Sequence, residues 1–187
     1  WLTAAVRWLL NDAGFGLFTF QDLTRATSAA LALPYDAVLA LLSTGGGGWP
    51  PLSWAFVAGL AAILGHRWGG WPLAVLASAC FLFIALFGRW ESAMVTLASI
   101  LVAVPLGIGG GLLIGIAAHR RPWLSRALAP LLDLAQTIPV FAYLVPILIL
   151  FGFGPVAAIV ATLIFAIPPM IRIAELALAR VAPEIVD

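Results

Sequence analysis

The chain has 187 residues, 64% of them hydrophobic and only 9% charged, with a mean hydropathy of +1.13. Soluble domains are about 45–50% apolar and about 25% charged, so this composition calls for lipid as the solvent of most of the surface. The net charge is +1 and all nine basic residues are Arg, which leaves no basic face for nucleic acid, and the single Cys80 excludes an internal disulfide or a cysteine metal site.

The chain begins with Trp1 instead of Met, and residues 183–187 read as the start of a helix, so the sequence is expected to be a piece of a longer protein. Residues 1–42 mix acids, Arg and apolar residues. Within them Tyr35, Val38, Leu39 and Leu42 share one helical face with Asp36 opposite, the pattern of an amphipathic helix resting at a membrane interface. Gly45 to Gly48, followed by Trp49, Pro50 and Pro51, reads as a flexible joint. The expected organisation is an extracytoplasmic arm over residues 1–48, two accessory transmembrane helices over 49–92, and three helices of a core domain over 93–187.

Five uncharged stretches approach or exceed the length that crosses a hydrocarbon core, about 20 residues: 50–65, 71–88, 93–118, 134–151 and 155–171. Gly152, Phe153, Gly154 and Pro155 divide the last two. Backbone groups in lipid must bond internally, and the ten-residue alternation of a membrane barrel is not seen, so the expected fold is all-α, a polytopic helical bundle. Arg120, Arg121 and Arg126 follow the third span, which by the positive-inside rule puts that loop in the cytoplasm, the amino end outside and the carboxyl end inside.

The third span carries Gly107, Gly111 and Gly115 at four-residue spacing, continued by Ala103, a stripe that lets helix backbones approach closely, either within the chain or against a second copy. Gly107, Gly109, Gly110 and Gly111 are not a nucleotide loop, because no strand precedes them. A phosphate loop of the Walker type needs a Lys and the chain has none, so any ATP must be bound by another subunit. His66 and His119 each lie beside Arg at a span end and read as interface anchors. No metal-ligand spacing and no Ser, His and Asp set at one depth is present, so no enzyme chemistry, metal or cofactor is expected.

Pro139, Pro146, Pro168 and Pro169 are expected to interrupt the last two spans and to free carbonyls inside the membrane, as helix breaks along a solute pathway do. Gln136 and Thr137 add polarity beside the first of them. Glu175 stands three residues after Arg172, a spacing that lets the two pair on one helical face.

From Trp90 onward the sequence resembles the permease of glycine betaine/proline-type ABC importers, the quaternary amine branch of binding-protein-dependent transport systems. The residues that carry the resemblance are ESAMVTLASILVAVPLGIGGGLLIG, PLLDLAQTIPVFAYLVPILILFGFGPVAAIVATLIFAIPPMIRIAELAL and RVAPEIVD. It implies the transmembrane domain of a type I ABC importer, cut before the coupling helix, in a bacterial inner membrane. The implied partners are a separate ABC ATPase, an extracytoplasmic solute-binding protein and a second permease copy. In that family a cytoplasmic loop beginning Glu-Ala-Ala docks into the ATPase. Glu184 lies on the approach to that loop and Asp187 falls on the position of its Glu, with Arg172 and Glu175 bracing the helix that leads there. For a quaternary ammonium solute, Phe141 and Tyr143 are candidate pathway rings, because ring faces attract a cation that cannot donate hydrogen bonds. A permease for another solute, such as methionine, taurine or nitrate, shares the architecture. A secondary transporter or channel would usually bury an ionisable group in mid-span, and none of the five stretches carries one there.

Overall fold

The structure is a computed structural model and describes residues 20–45, 48 and 50–180. Among the described residues every regular element is helical. We number the helices α1 (Phe20–Leu39, extended by a π-turn at Ala40–Thr44), α2 (Trp54–Leu86), α3 (Trp90–Arg120), α4 (Pro122–Thr137), α5 (Val140–Phe151) and α6 (Pro155–Ala179). Two compact units result: Leu33–Leu101, and a second formed by the described residues up to Ala32 and from Val102 onward.

Leu31, Tyr35 and Leu42 are buried along one face of α1 and its π-turn, while Asp36 is exposed. The helical face therefore lies where the periodicity of the sequence puts it. The element is longer than an interfacial arm requires, however: Gln21–Thr44 is 24 residues, long and apolar enough to cross a membrane.

In the unit Leu33–Leu101, α2 is not one straight rod. Ser53 caps its start by accepting a hydrogen bond from the Phe56 N–H at 3.2 Å. Gly70 then interrupts the helix with φ 69° and ψ −163°, a conformation that only glycine adopts cheaply. A Cβ on Gly65 would lie 3.1 Å from the Leu73 carbonyl oxygen and 3.2 Å from the Ala74 Cα, whereas nine residues of straight helix would separate these positions by roughly 13 Å. The chain therefore turns sharply at Gly70, between the two stretches 50–65 and 71–88 that the sequence separates. His66 and Trp71 face each other across the turn with ring centroids 4.6 Å apart. At the far end Arg89 N–H donates to the Ile84 carbonyl and Gly88 N–H to that of Ala85, with Gly88 at φ 64°, a Schellman termination that frees the chain to start α3.

The second unit contains the closest helix contact. A Cβ on Gly107 would stand 3.5 Å from the Ala166 Cβ, one on Gly111 2.6 Å from the Met170 Cβ, and one on Gly115 2.5 Å from the Ala174 Cβ. The partners advance with the glycines, one turn at a time, so α3 and α6 run parallel and their carboxyl ends share one side. Ala118, Ile171 and Ala174 are buried around this seam. The glycine stripe thus packs inside the chain.

Between these parallel helices the chain must return. The stretch 134–151 is interrupted at Pro139, as the sequence leads one to expect: α4 and α5 meet at 99° across Ile138 and Pro139. The cause is local. A residue before proline is pushed out of the helical region, and Ile138 has ψ 128°. Pro139 itself has no N–H to continue the ladder. The other prolines do not interrupt their helices: Pro146 lies inside α5, and Pro168 and Pro169 lie inside α6. At these positions the ring removes one donor each, which a helix held by neighbours tolerates. α5, with 12 residues, spans roughly 18 Å and is too short to cross a core of about 30 Å unaided.

Gly115→Val is expected to lower the unfolding midpoint of the detergent-solubilised parent protein, at a cost of about 1–3 kcal/mol from overpacking. Gly109→Ala, where nothing lies within 4 Å of the added Cβ, should leave it unchanged or raise it slightly.

Candidate functional site

Two places in the second unit gather the chemically distinctive residues. The first is the α4–α5 break. Thr137 ends α4 with its hydroxyl donating to the Leu134 carbonyl at 3.0 Å, and Gln136 beside it is exposed. Pro139 and Pro146 are exposed, Pro168 is buried and Pro169 half-buried. Phe141 is 79% exposed whereas Tyr143 is half-buried. Two residues apart on a helix, they point about 200° away from each other, so they do not face one common path within this chain. The Tyr143 hydroxyl is buried without a hydrogen-bond partner. That contrasts with Ser78, Thr96, Ser99 and Thr162, whose hydroxyls each donate to the carbonyl one turn back.

The second place is the shared carboxyl end of α3 and α6, where a cavity of about 440 Å³ is lined by His119, Ser125, Arg172 and Glu175 among others. Here the expected pairing is corrected. Arg172 makes no ion pair with Glu175; its Nη2 donates to Asp133 Oδ1 of α4 at 2.5 Å. Helix α4 lies against α6, so the Asp133 carboxylate is within reach of the guanidinium, whereas pairing with Glu175 would turn the arginine back along its own helix. Asp133 is 68% exposed and Arg172 37%, so water screens the pair and it contributes no more than about 1 kcal/mol. It joins two helices that already pack against each other. Asp133 is the lone acid of residues 130–146, but nothing in the sequence says which arginine is opposite it. The remaining coupling candidates, Glu184 and Asp187, lie outside the described residues.

Helices long and apolar enough to cross a membrane, joined to a broken one, define a multi-pass membrane protein. Residues 107–187 match the family described as binding-protein-dependent transport system inner membrane component. Along 100% of the chain it is 39% identical to the trimethylamine N-oxide transport system permease protein TmoV of Ruegeria pomeroyi, covering 28% of that relative. Over 67% of the chain it is 40% identical to the glycine betaine/proline betaine transport system permease protein ProW of Escherichia coli, and over 57% it is 39% identical to the glycine betaine transport system permease protein OpuAB of Bacillus subtilis. It spans 36% and 38% of those two relatives. Over residues 107–187 the chain belongs to the family of inner-membrane components of binding-protein-dependent transport systems, the membrane domain of type I ABC importers.

A double-mutant cycle should separate the two possible partners of Arg172. Reversing Asp133 and Arg172 together is expected to recover about 0.5–1 kcal/mol of the stability lost by the single reversals, whereas combining Glu175→Arg with Arg172→Glu should recover none. Equal recovery in both cycles would refute the α4–α6 pairing.

Proposed function

We propose that the parent protein is the permease subunit of an ATP-driven importer for small methylated onium solutes, with glycine betaine, proline betaine, choline and trimethylamine N-oxide as its class. The observation that carries this reading is the similarity to a trimethylamine N-oxide permease along the whole chain, including the helices before residue 107 that the family match leaves out. The glycine betaine permeases support the same solute chemistry over shorter stretches. Residues 93–187 then supply the first three helices of the core permease domain, and 49–92 are accessory.

In this reading no bond is made or broken in the chain. A separate ATPase binds nucleotide, an extracytoplasmic binding protein delivers the solute, and two permease copies enclose the path. Transport is a shift between inward-facing and outward-facing populations. The arginine-rich end shared by α3 and α6 faces the cytoplasm. Arg172 and Glu175 sit there, and the chain continues through Glu184 and Asp187 toward the loop that meets the ATPase. The α4–α5 break, with Gln136, Thr137 and Pro139, forms part of the solute path, as discontinuous helices do in other transporters. Tyr143 contributes a ring face for the trimethylammonium group.

The test is uptake of labelled glycine betaine and trimethylamine N-oxide into proteoliposomes holding the complete permease, its ATPase and its binding protein. ATP-dependent accumulation of at least one of them is expected. Accumulation without the ATPase, or failure of every trimethylated solute to enter or compete, would remove the reading. In the same assay Tyr143→Leu should lower uptake at limiting solute by about 3- to 10-fold, while Tyr143→Phe, which keeps the ring, retains most of it.

A further inference from the structure

Helix α4 has three faces, and each meets a different environment. Leu124, Leu128, Leu132 and Ala135 are buried or half-buried on one face, and Leu132 is 6% exposed. This is the face toward α6, against which α4 packs. On a second face Trp123, Ala127, Leu131 and Leu134 follow helical spacing, and all four are exposed, Trp123 by 62%. The third carries Arg126, Asp133, Gln136 and Thr137, also exposed. At 100° per residue the three stripes are centred roughly 120° apart. One side of the helix is thus buried, one is apolar and exposed, and one is polar and exposed, with Asp133 at its edge reaching Arg172 of α6.

The bend decides how such a helix lies. Since α4 meets α5 at 99°, an α5 directed into the membrane lays α4 along its surface. The apolar stripe then faces the acyl boundary while the polar stripe faces water, the arrangement of an interfacial helix. At its start stand Arg120, Arg121 and Arg126, all exposed. None of the three has a carboxylate partner among the described residues: the Arg126 Nε donates to the Pro122 carbonyl, and Asp133, the acid on the same helix, is taken by Arg172.

We propose that α4 is an interfacial helix seated on the bilayer, and that Arg120, Arg121 and Arg126 form a docking surface for the phosphate headgroups of anionic phospholipids. The charge of the cluster and the adjoining exposed apolar stripe fit a lipid with a negative head and acyl chains, whereas an acidic protein surface would match the arginines but leave Trp123, Leu131 and Leu134 without a partner. Near an anionic surface each arginine is worth about 1 kcal/mol, roughly a fivefold preference for the charged lipid.

The test uses the complete transporter in nanodiscs of phosphatidylcholine and phosphatidylglycerol. With a benzophenone amino acid in place of Trp123, illumination is expected to give phospholipid adducts detected by mass spectrometry. Adducts only to other parts of the permease or to the ATPase would overturn the interfacial seat. In parallel, the ratio of phosphatidylglycerol to phosphatidylcholine retained on purification should fall about fivefold in R126Q, which keeps two of the three charges, and by on the order of a hundredfold in R120Q/R121Q/R126Q. An unchanged ratio in both variants would overturn the headgroup site, even if lipid adducts form at position 123.

Discussion

The organisation of the second unit depends on how closely α3 approaches α6. In lipid there is no hydrophobic gain from bringing two apolar helices together, so association rests on dispersion contacts and on backbones that come near enough to make many of them. Gly107, Gly111 and Gly115 supply that approach, and Ala166, Met170 and Ala174 fill the space the missing side chains leave. Because the contacts advance together, the two helices are parallel, and parallel neighbours oblige the chain between them to cross in the opposite direction. Residues 121–154 are that return. They make it with two short helices at 99° instead of one straight span. The break is thus placed between two helices that are locked side by side, and the charged groups at the carboxyl ends of α3 and α6 are brought to one site.

Prolines show the difference between a sequence signal and its structural outcome. Six lie within continuing helices, Pro34, Pro105, Pro130, Pro146, Pro168 and Pro169, while Pro72 stands two residues after the turn at Gly70. Pro139 is at a true break, where Ile138 is already extended and the Thr137 hydroxyl has turned back to the Leu134 carbonyl. A lone proline costs a helix one donor and some crowding, but leaving the helical conformation in lipid would strand several backbone groups at once. The helix therefore continues unless the chain beyond has another direction to take. At Pro139 it does, since α4 is held against α6 by Leu132 and by the Asp133–Arg172 pair.

Much of the fold was legible because the solvent is lipid. Once composition excludes water, helices are the expected way to satisfy the backbone, and the glycine stripe announces the face of closest packing. The separation of 50–65 from 71–88 was readable from the charged residue Arg67 between two uncharged runs, and the turn at Gly152–Pro155 from the residues that punctuate it. What the sequence concealed was relational. The i to i+3 spacing of Arg172 and Glu175 suggests a pair, yet a side chain chooses among all the carboxylates that tertiary packing brings near, and Asp133 is 39 residues away. The direction of α4 was equally hidden, since Pro139 announces an interruption of the uncharged run 134–151 but not a turn of 99°. The helix ending at Thr44 showed its amphipathic face but not its length, because Asp36 near its middle resembles the polar side of an interfacial helix.

The strength of the Asp133–Arg172 pair bears on what such a domain can do. A buried ion pair broken on one side costs about 3–5 kcal/mol, which would hold α4 and α6 together through any conformational cycle. This pair is between one and two thirds exposed, and at no more than about 1 kcal/mol it biases a two-state equilibrium by roughly fivefold. The glycine seam is the tighter contact: a Cβ added at Gly111 or Gly115 would come within 2.6 and 2.5 Å of the Met170 and Ala174 Cβ atoms, so the seam leaves no room for a side chain at either position. A domain built this way has one close parallel pair, α3 with α6, and one element, α4, packed on α6 by its apolar face and joined to it by an ion pair weak enough to exchange. Movement imposed on the carboxyl end of α6 would therefore carry α3 with it and would be felt first at the α4–α5 bend.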